Sequence, residues 1–411
     1  MRKLSFPLLA LSMLAVVGCS GSSSPVPVDT YVLYDDDIIK EGDLTEIACD
    51  FKVYPLKSDI PLDGVGGIKC WGNKAFARSN DNKRLLCFEN YKLYAVLDKL
   101  GRGPGEYLYL SDYTYDEKEN LLYIGNDSII CVYDARTTDF IRKQYINYDT
   151  QNLLNVGDKM LYLGMDIEES RKRQDDINYN PIQSVILAER GDWELKGPVK
   201  VLTKYNYFHR VIFGYPEVFY VNPQNLSFCI PGPVNRIVTF DFDSDTVTDV
   251  FKFRIESNDN MIVTKYQDEE SFEGVAYNDL MNDYVSMILG GHFLDNVYNI
   301  IVDDGTISFR ADYTTAEDSW SVDESDVDNG YLYWVHNKSG TKVYKSLRIP
   351  GLLKNINPTG CHDNRNVAVI ENLGEDAIDE LSEMSPLAKQ IVAELKKQND
   401  ENPVVLEFRF K

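Results

Sequence analysis

The stretch NKRLLCFENYKLYAVLDKLG (Asn82–Gly101) decides how this chain is read, because it recurs. It holds a short apolar run, an acidic residue (Glu89) that closes it, a turn, and a second run of alternating apolar and polar residues. Alternation with period two is the mark of a half-buried strand. NDSIICVYDARTTDFIRKQYI (Asn126–Ile146) has the same layout and sets Cys131 44 residues after Cys87. VNRIVTFDFDSDTVTDVFKF (Val234–Phe253) repeats it again, with Asp241 in the place of Asp134. A weaker copy is NGYLYWVHNKSGTKVYKSLRI (Asn329–Ile349). Asp134 and Asp241 are two periods plus about 19 residues apart. The surplus is assigned to DIEESRKRQDDINYNP (Asp166–Pro181), which is charged, aperiodic and read as a loop insertion.

A period in the forties, with several short strands per repeat, predicts a β-propeller blade. A small twisted sheet cannot bury both faces alone, whereas sheets stacked around a ring bury them and leave only short edges. From about Val65 to Ile349 there is room for six blades. A pair of two-sheet sandwiches is the alternative, and it leaves the recurrence unexplained. The expected fold is therefore all-β, a six-bladed β-propeller forming one domain over 44–411. Two helices are expected within it. Leu280, Tyr284, Met287 and Ile288 are helically spaced and place a helical insertion near 277–289. Ser385 as cap and Pro386 at the first position open a C-terminal helix near 386–398, with Leu387, Ile391, Val392 and Leu395 as its apolar stripe. The terminal ENPVVLEFRFK alternates as a strand does, and with DFKVYPL (Asp50–Leu56) it is expected to close the ring.

Composition agrees with a large all-β domain. Of 411 residues 44% are hydrophobic, and the 27 Tyr and 18 Phe suit pleated surfaces. Acids outnumber Lys and Arg by 65 to 42, a net charge of −23. Such a surface repels phosphate backbones, so no nucleic-acid partner is expected.

The N-terminus carries an address. Arg2 and Lys3 precede an apolar run, Leu4–Val17, that is too short to span a bilayer as a helix. Residues 1–18 read as a signal peptide, and Val16-Val17-Gly18-Cys19 resembles the bacterial lipobox. Cys19 is the expected lipidation site, and acyl chains there would hold the protein at a membrane. Residues 19–43 are assigned to a lipidated tether, opening with the Ser- and Pro-rich SGSSSPVPVD. Ser20, where a retention signal would place Asp, resembles outer-membrane sorting, with either the periplasmic or the surface face open. The six other cysteines are irregularly spaced, so few or no disulfides are expected.

Between the first two repeats lies LGRGPGEY (Leu100–Tyr107). A dinucleotide loop needs G-x-G-x-x-G opening a helix, and a P-loop ends in Gly-Lys-Ser/Thr; neither pattern is met. The stretch reads as a tight connector in which Arg102 and Glu106 brace adjacent blades. This motif, VYPLKSDIPLDGVGGIKCWGNKAFARSND (Val53–Asp81) and the terminal NDENPVVLEFRFK resemble the six-bladed β-propeller lipoproteins of gut Gram-negative anaerobes, which are NHL-like. The resemblance covers about Asp50–Tyr148 and the last dozen residues. It implies the fold and the envelope address and carries over no catalytic residue. Arg102, Glu106 and Tyr107 enter as structural-motif or binding residues.

Four histidines (His209, His292, His336, His362) show no metal spacing, although a Cys–His or Ser–His–Asp set can assemble in space. DFDSD (Asp241–Asp245) lacks the Gly and Glu of a calcium loop and reads as a hairpin turn. The expected function is a noncatalytic, lipid-anchored binding module for a glycan, peptide or envelope protein, with no cofactor. The alternative is a periplasmic hydrolase or lyase with Ca²⁺ or an acidic site in the channel. Aromatics in SDYTYD (Ser111–Asp116) and AEDSWSVD (Ala316–Asp323), the stretch GHFLDNVYN (Gly291–Asn299) and the Asp166–Pro181 insertion are the candidate ligand loops.

Overall fold

A computed structural model describes residues 28–62, 64–79, 81, 83–110, 112–176, 179, 181–192, 195–197, 199–206, 218–221, 225–230, 234–256, 275, 279, 282, 293–314, 330–371, 384–398 and 402–411. The signal peptide, Cys19, the 277–289 helix, His209, His292 and the 316–323 aromatics lie outside the described residues, apart from positions 279 and 282.

Blade 1 is a meander of Val65–Trp71, Lys74–Ser79, Leu85–Glu89 and Lys92–Leu97. Blades 2 and 3 share one continuous sheet. In it Asp112–Asp116 pairs with the start of Leu121–Asp134, whose second half pairs with Phe140–Val156 beyond a left-handed Asp127 (φ 50°). From Tyr148 onward the same strand pairs instead with Lys159–Asp166, followed by Ile182–Glu189 and Lys200–Asn206. Phe140–Val156 thus leaves blade 2 as its outer strand and enters blade 3 as its innermost. Blade 4 holds Val218–Val221, Asn225–Ile230, Asn235–Asp241 and Thr246–Ile255. Blade 5 holds Phe293–Asp303, Thr306–Thr314, Tyr331–Asn337 and Gly340–Tyr344.

Blade 6 is composite. Pro358–His362 and Arg365–Ile370 are completed by the C-terminal Val404–Phe410 and, on its far side, by Ala48–Pro55. The expected closure by first and last segments is present. The span Val65–Ile349, expected to hold six blades, holds five among the described residues, because the sixth is built from segments before and after it. Ahead of it, Thr30–Leu33 runs parallel to the outer strand of blade 4 and Ile38–Ile39 parallel to that of blade 5. The tether expected over 19–43 is therefore part of the ring from Thr30 onward, where it covers edges that would otherwise expose unpaired backbone.

The core explains why the ring closes. Among the described residues the buried apolar side chains fall into six clusters, one at each junction between neighbouring blades. Phe76, Cys87 and Leu97 of blade 1 meet Tyr113, Cys131 and Tyr133 of blade 2, so the two cysteines that align in the repeat share one cluster. Trp334 of blade 5 is fully buried, stacked on Phe309 at 5.3 Å and against Phe253 of blade 4 at 4.9 Å. The helix Pro386–Lys397 buries Leu387, Ile391, Val392 and Leu395 over the blade 5–6 junction, its start capped where the Ser385 hydroxyl accepts from the Ala388 amide (3.2 Å).

The insertion expected to be a loop contains a helix, Ile167–Asp175, between the second and third strands of blade 3. It buries no residue, so it carries no apolar period to be read. Asp166 caps it by accepting from the Glu168 amide (2.7 Å), and a Lys172–Glu169 pair supports it.

Candidate functional site

The innermost strands of blades 1, 2, 3, 5 and 6 surround a central cavity of about 1300 Å³. On the inner strands of blades 1, 3 and 6, side chains of a neighbouring blade bond to backbone groups that the blade's own ladder leaves open. The Leu153 amide donates to Asp112 Oδ2 (2.9 Å) and the Asn155 amide to Thr114 Oγ1 (2.8 Å). The Tyr113 hydroxyl donates to the Gly67 carbonyl (2.8 Å), and Asn299 Nδ2 to the Pro358 carbonyl (2.6 Å). A side chain at Gly360 would collide with the Ile68 carbonyl, which is why blades 6 and 1 meet through a glycine.

Charged groups of the cavity are held in the same way. Asp112, 3% exposed, takes Lys69 Nζ at 2.6 Å and Arg78 Nη2 at 3.5 Å. Both cations stand over the Tyr113 ring, at 4.9 and 5.8 Å from its centre. Arg190 of blade 3 pairs with the buried Asp116 of blade 2 and donates to the Gly157 carbonyl. Arg310 lies between the rings of Tyr298 (4.7 Å) and Tyr331 (4.3 Å) and donates to the Pro358 carbonyl (3.4 Å).

At the blade 6–1 seam, His362 Nδ1 is 2.7 Å from Glu407 Oε1, and Nε2 is 3.0 Å from the Gly72 carbonyl. Both partners are acceptors, and a neutral imidazole has one N–H, so this geometry favours the imidazolium form, which donates twice. The bond to Glu407 raises its pKa over the opposing effect of burial. Burial would lift the Glu407 carboxyl, but His362 and the Tyr91 hydroxyl donate to it and hold it below its ordinary value. His362 therefore contributes stability fully present below about pH 6.5 and lost as pH rises through its raised folded value. Glu407 contributes stability present above about pH 4.5 and lost as pH falls through its lowered one. His336, lowered by burial, acts in the opposite sense, so the comparison needs a variant. The melting temperature is expected to carry a decline as pH rises above about 6.5 that His362→Ala removes. An identical alkaline slope in both proteins would assign the decline elsewhere.

Cys70 and His362 both line the cavity, but not as a nucleophile and base. Burial, then the Glu407 charge, drives the Cys70 thiol far up, and His362 has no nitrogen left to accept its proton. Cys49, Cys70, Cys87, Cys131, Cys229 and Cys361 are thiols, with no disulfide among them. Among the described residues no group of three His, Cys, Asp or Glu converges as a metal site would. Asp241–Asp245 is a hairpin turn in which the Ser244 amide donates to Asp241 (2.6 Å).

Arg102, Glu106 and Tyr107 sit on the blade 1–2 connector and do not line the cavity. Glu106 folds back to accept from the Gly103 amide (2.7 Å), so its carboxylate occupies the space a Cβ at Gly101 would need. Tyr107 is buried and donates to the Lys83 and Leu97 carbonyls; Arg102 is exposed. The brace to blade 2 comes from Lys143, whose ammonium donates to the Gly103 and Glu106 carbonyls. Of the candidate ligand loops, SDYTYD contributes the buried inner strand Asp112–Asp116, whose Tyr113 and Tyr115 face both core and cavity. GHFLDNVYN is strand from Phe293, and its Tyr298 and Asn299 line the cavity. Lys69, Arg78, Arg310 and the His362–Glu407 pair were not singled out from the sequence, although an acid inside VVLEFRF signals a buried carboxylate needing a partner.

No curated protein matches the sequence. Among solved structures, a Bacteroides fragilis protein described as exported matches 91% of this chain and 99% of its own, with a TM-score of 0.57 and 14% identity. A Bacteroides vulgatus member of the DUF4221 family matches 89% of this chain and 98% of its own, with a TM-score of 0.46 and 8% identity. The DUF5128 family, described as a 6-bladed beta-propeller, matches residues 28–309, more than half of the chain. Six junction clusters, a composite closing blade and this match lead to one statement: the chain belongs to the DUF5128 family of 6-bladed β-propellers.

Proposed function

We propose that this protein is a lipid-anchored envelope propeller that binds a small polar ligand in its central channel without transforming it. The observation that carries the binding reading is the cavity itself, about 1300 Å³ and lined by charged and aromatic side chains already fixed by bonds between blades. Preorganised polar groups lose little entropy on binding, which favours recognition. The raised thiol and the doubly bonded imidazolium are not activated groups, which favours binding over turnover.

The address rests on residues 1–19 of the sequence, and the Bacteroides fragilis relative, described as exported, has the same kind of fold. Cys19→Ala is expected to move the protein from the membrane to the soluble fraction. Wild-type protein fractionating as soluble would refute the anchor. For the channel, a thermal-shift panel of glycans and peptides on the full chain is expected to give one class that raises the melting temperature, with EDTA having no effect. A melting temperature lowered by EDTA and restored by Ca²⁺ would move the reading to the alternative, a hydrolase or lyase with a Ca²⁺ or acidic channel site.

A further inference from the structure

The chain as a whole carries −23, yet the cavity lining carries six Lys and Arg against five Asp and Glu. Three of those acids, Glu117, Asp158 and Asp363, are exposed turn residues. A fourth, Asp116, is neutralised by Arg190, and His362 is neutralised by Glu407. Apart from Lys118 and Lys159 at hairpin ends, what remains among the described lining residues is Lys69 on the inner strand of blade 1, Arg78 and Arg310 on the second strands of blades 1 and 5, and the carboxylate of Asp112, which Lys69 and Arg78 share. The Lys69 and Arg78 side chains are 32% and 29% exposed, so both can be reached from the cavity.

Arg310 bears the same sign. Among the described residues no carboxylate bridges it, and its Nε has no hydrogen-bond partner. Asp312, two residues on, does not line the cavity; burial raises its carboxyl against the opposing pull of the Tyr298 and Asn296 donors and of the Arg310 charge. Among the described residues the cavity lining is thus short of negative charge, in an interior where charge is felt strongly. We infer that the channel recognises a carboxylate-bearing sugar, a conclusion that rests on the binding reading above.

Two further observations select a sugar acid over a peptide carboxylate. An extended peptide would need free backbone edges on the inner strands. Those at Gly67, Gly72, Leu153, Asn155 and Pro358 are already bonded to neighbouring blades. Aromatic surface is available instead. Trp71 lines the cavity half-buried, fixed edge-on against Tyr115 and Phe76, and offers the amphipathic face on which a pyranose ring packs.

The test is calorimetric titration of the full chain, in detergent, with galacturonate, glucuronate and mannuronate trisaccharides and a sialylated trisaccharide. The methyl ester of the tightest binder, its neutral counterpart and a tripeptide with a free carboxylate complete the set. At least one sugar acid is expected to bind, its ester about ten- to hundred-fold more weakly. Lys69→Met should weaken the acid by a similar factor and leave the ester unchanged. Should that variant fold poorly, the wild type still decides, because binding of the acid must weaken with added salt while that of the ester does not. Equal binding of acid and ester, salt-independent binding, a tripeptide tighter than every sugar acid, or no sugar acid bound would each overturn the inference. A neutral glycan bound in place of the acids would leave the binding reading standing, whereas no ligand in any class would remove both.

Discussion

Removal of Val404–Lys411 is expected to abolish cooperative unfolding. The strand it deletes is bonded on both sides, to Arg365–Ile370 and to Ala48–Pro55, so its loss opens two ladders at once. Val404, Val405, Leu406 and Phe408 are each 0% exposed and belong to the clusters on both flanks of blade 6. At about 1.5–3 kcal/mol for each buried side chain, their combined burial is comparable with the whole stability of an ordinary domain. The deletion also leaves His362 without Glu407. Circular dichroism during thermal and urea denaturation is the measurement. A sharp transition within a few degrees of the wild type would mean that the ring does not depend on its closing strand.

Asp112→Ala is expected to cost about 3–5 kcal/mol, the range for breaking a buried ion pair from one side. Two cations would lose their shared counter-ion, and the Leu153 amide would lose its acceptor at the blade 2–3 junction. Lys69→Met should cost less, because the Lys69 side chain is partly exposed and Asp112 keeps Arg78 and the amide. Urea midpoints of the two variants give the ordering. An Asp112→Ala shift below about 1 kcal/mol would show that the inter-blade bond is not stabilising the ring.

The fold was legible because the same physical problem is solved alike in blades 2, 4 and 5. The third strand must end in a tight turn, and a short polar side chain there bonds the following amides. Asp134 accepts from the Arg136 and Thr137 amides, Asp241 from that of Ser244, and Asn337 from that of Ser339. Those residues, and the apolar runs before them, are local and repeat. The helix at Ile167–Asp175 was missed because it is polar on every side and held by its cap. Closure by 48–55 and 404–410 was legible from alternation at both ends, but the number of blades between them was not, since a composite blade has no intact repeat.

The cavity was far less legible. Its cations come from strands in different blades, and Lys69 and Asp112 are 43 residues apart, so no window contains them. Arg310 is an inner-facing residue in an alternating strand, a pattern that also fits a solvent face. The connector LGRGPGEY stood out because its glycines are close together, yet its work is to seat Tyr107 and turn the chain between blades.

The composite blade also governs when the molecule becomes whole. Ala48 and Phe410 are neighbours in one ladder, although they lie far apart in the sequence. A polypeptide still leaving the ribosome holds blades 1–5 in order but lacks the strand that joins them into a circle. Contacts of such long sequence separation form late and slowly. Emergence of Val404–Phe410 is thus the event that converts an open arc into a wheel.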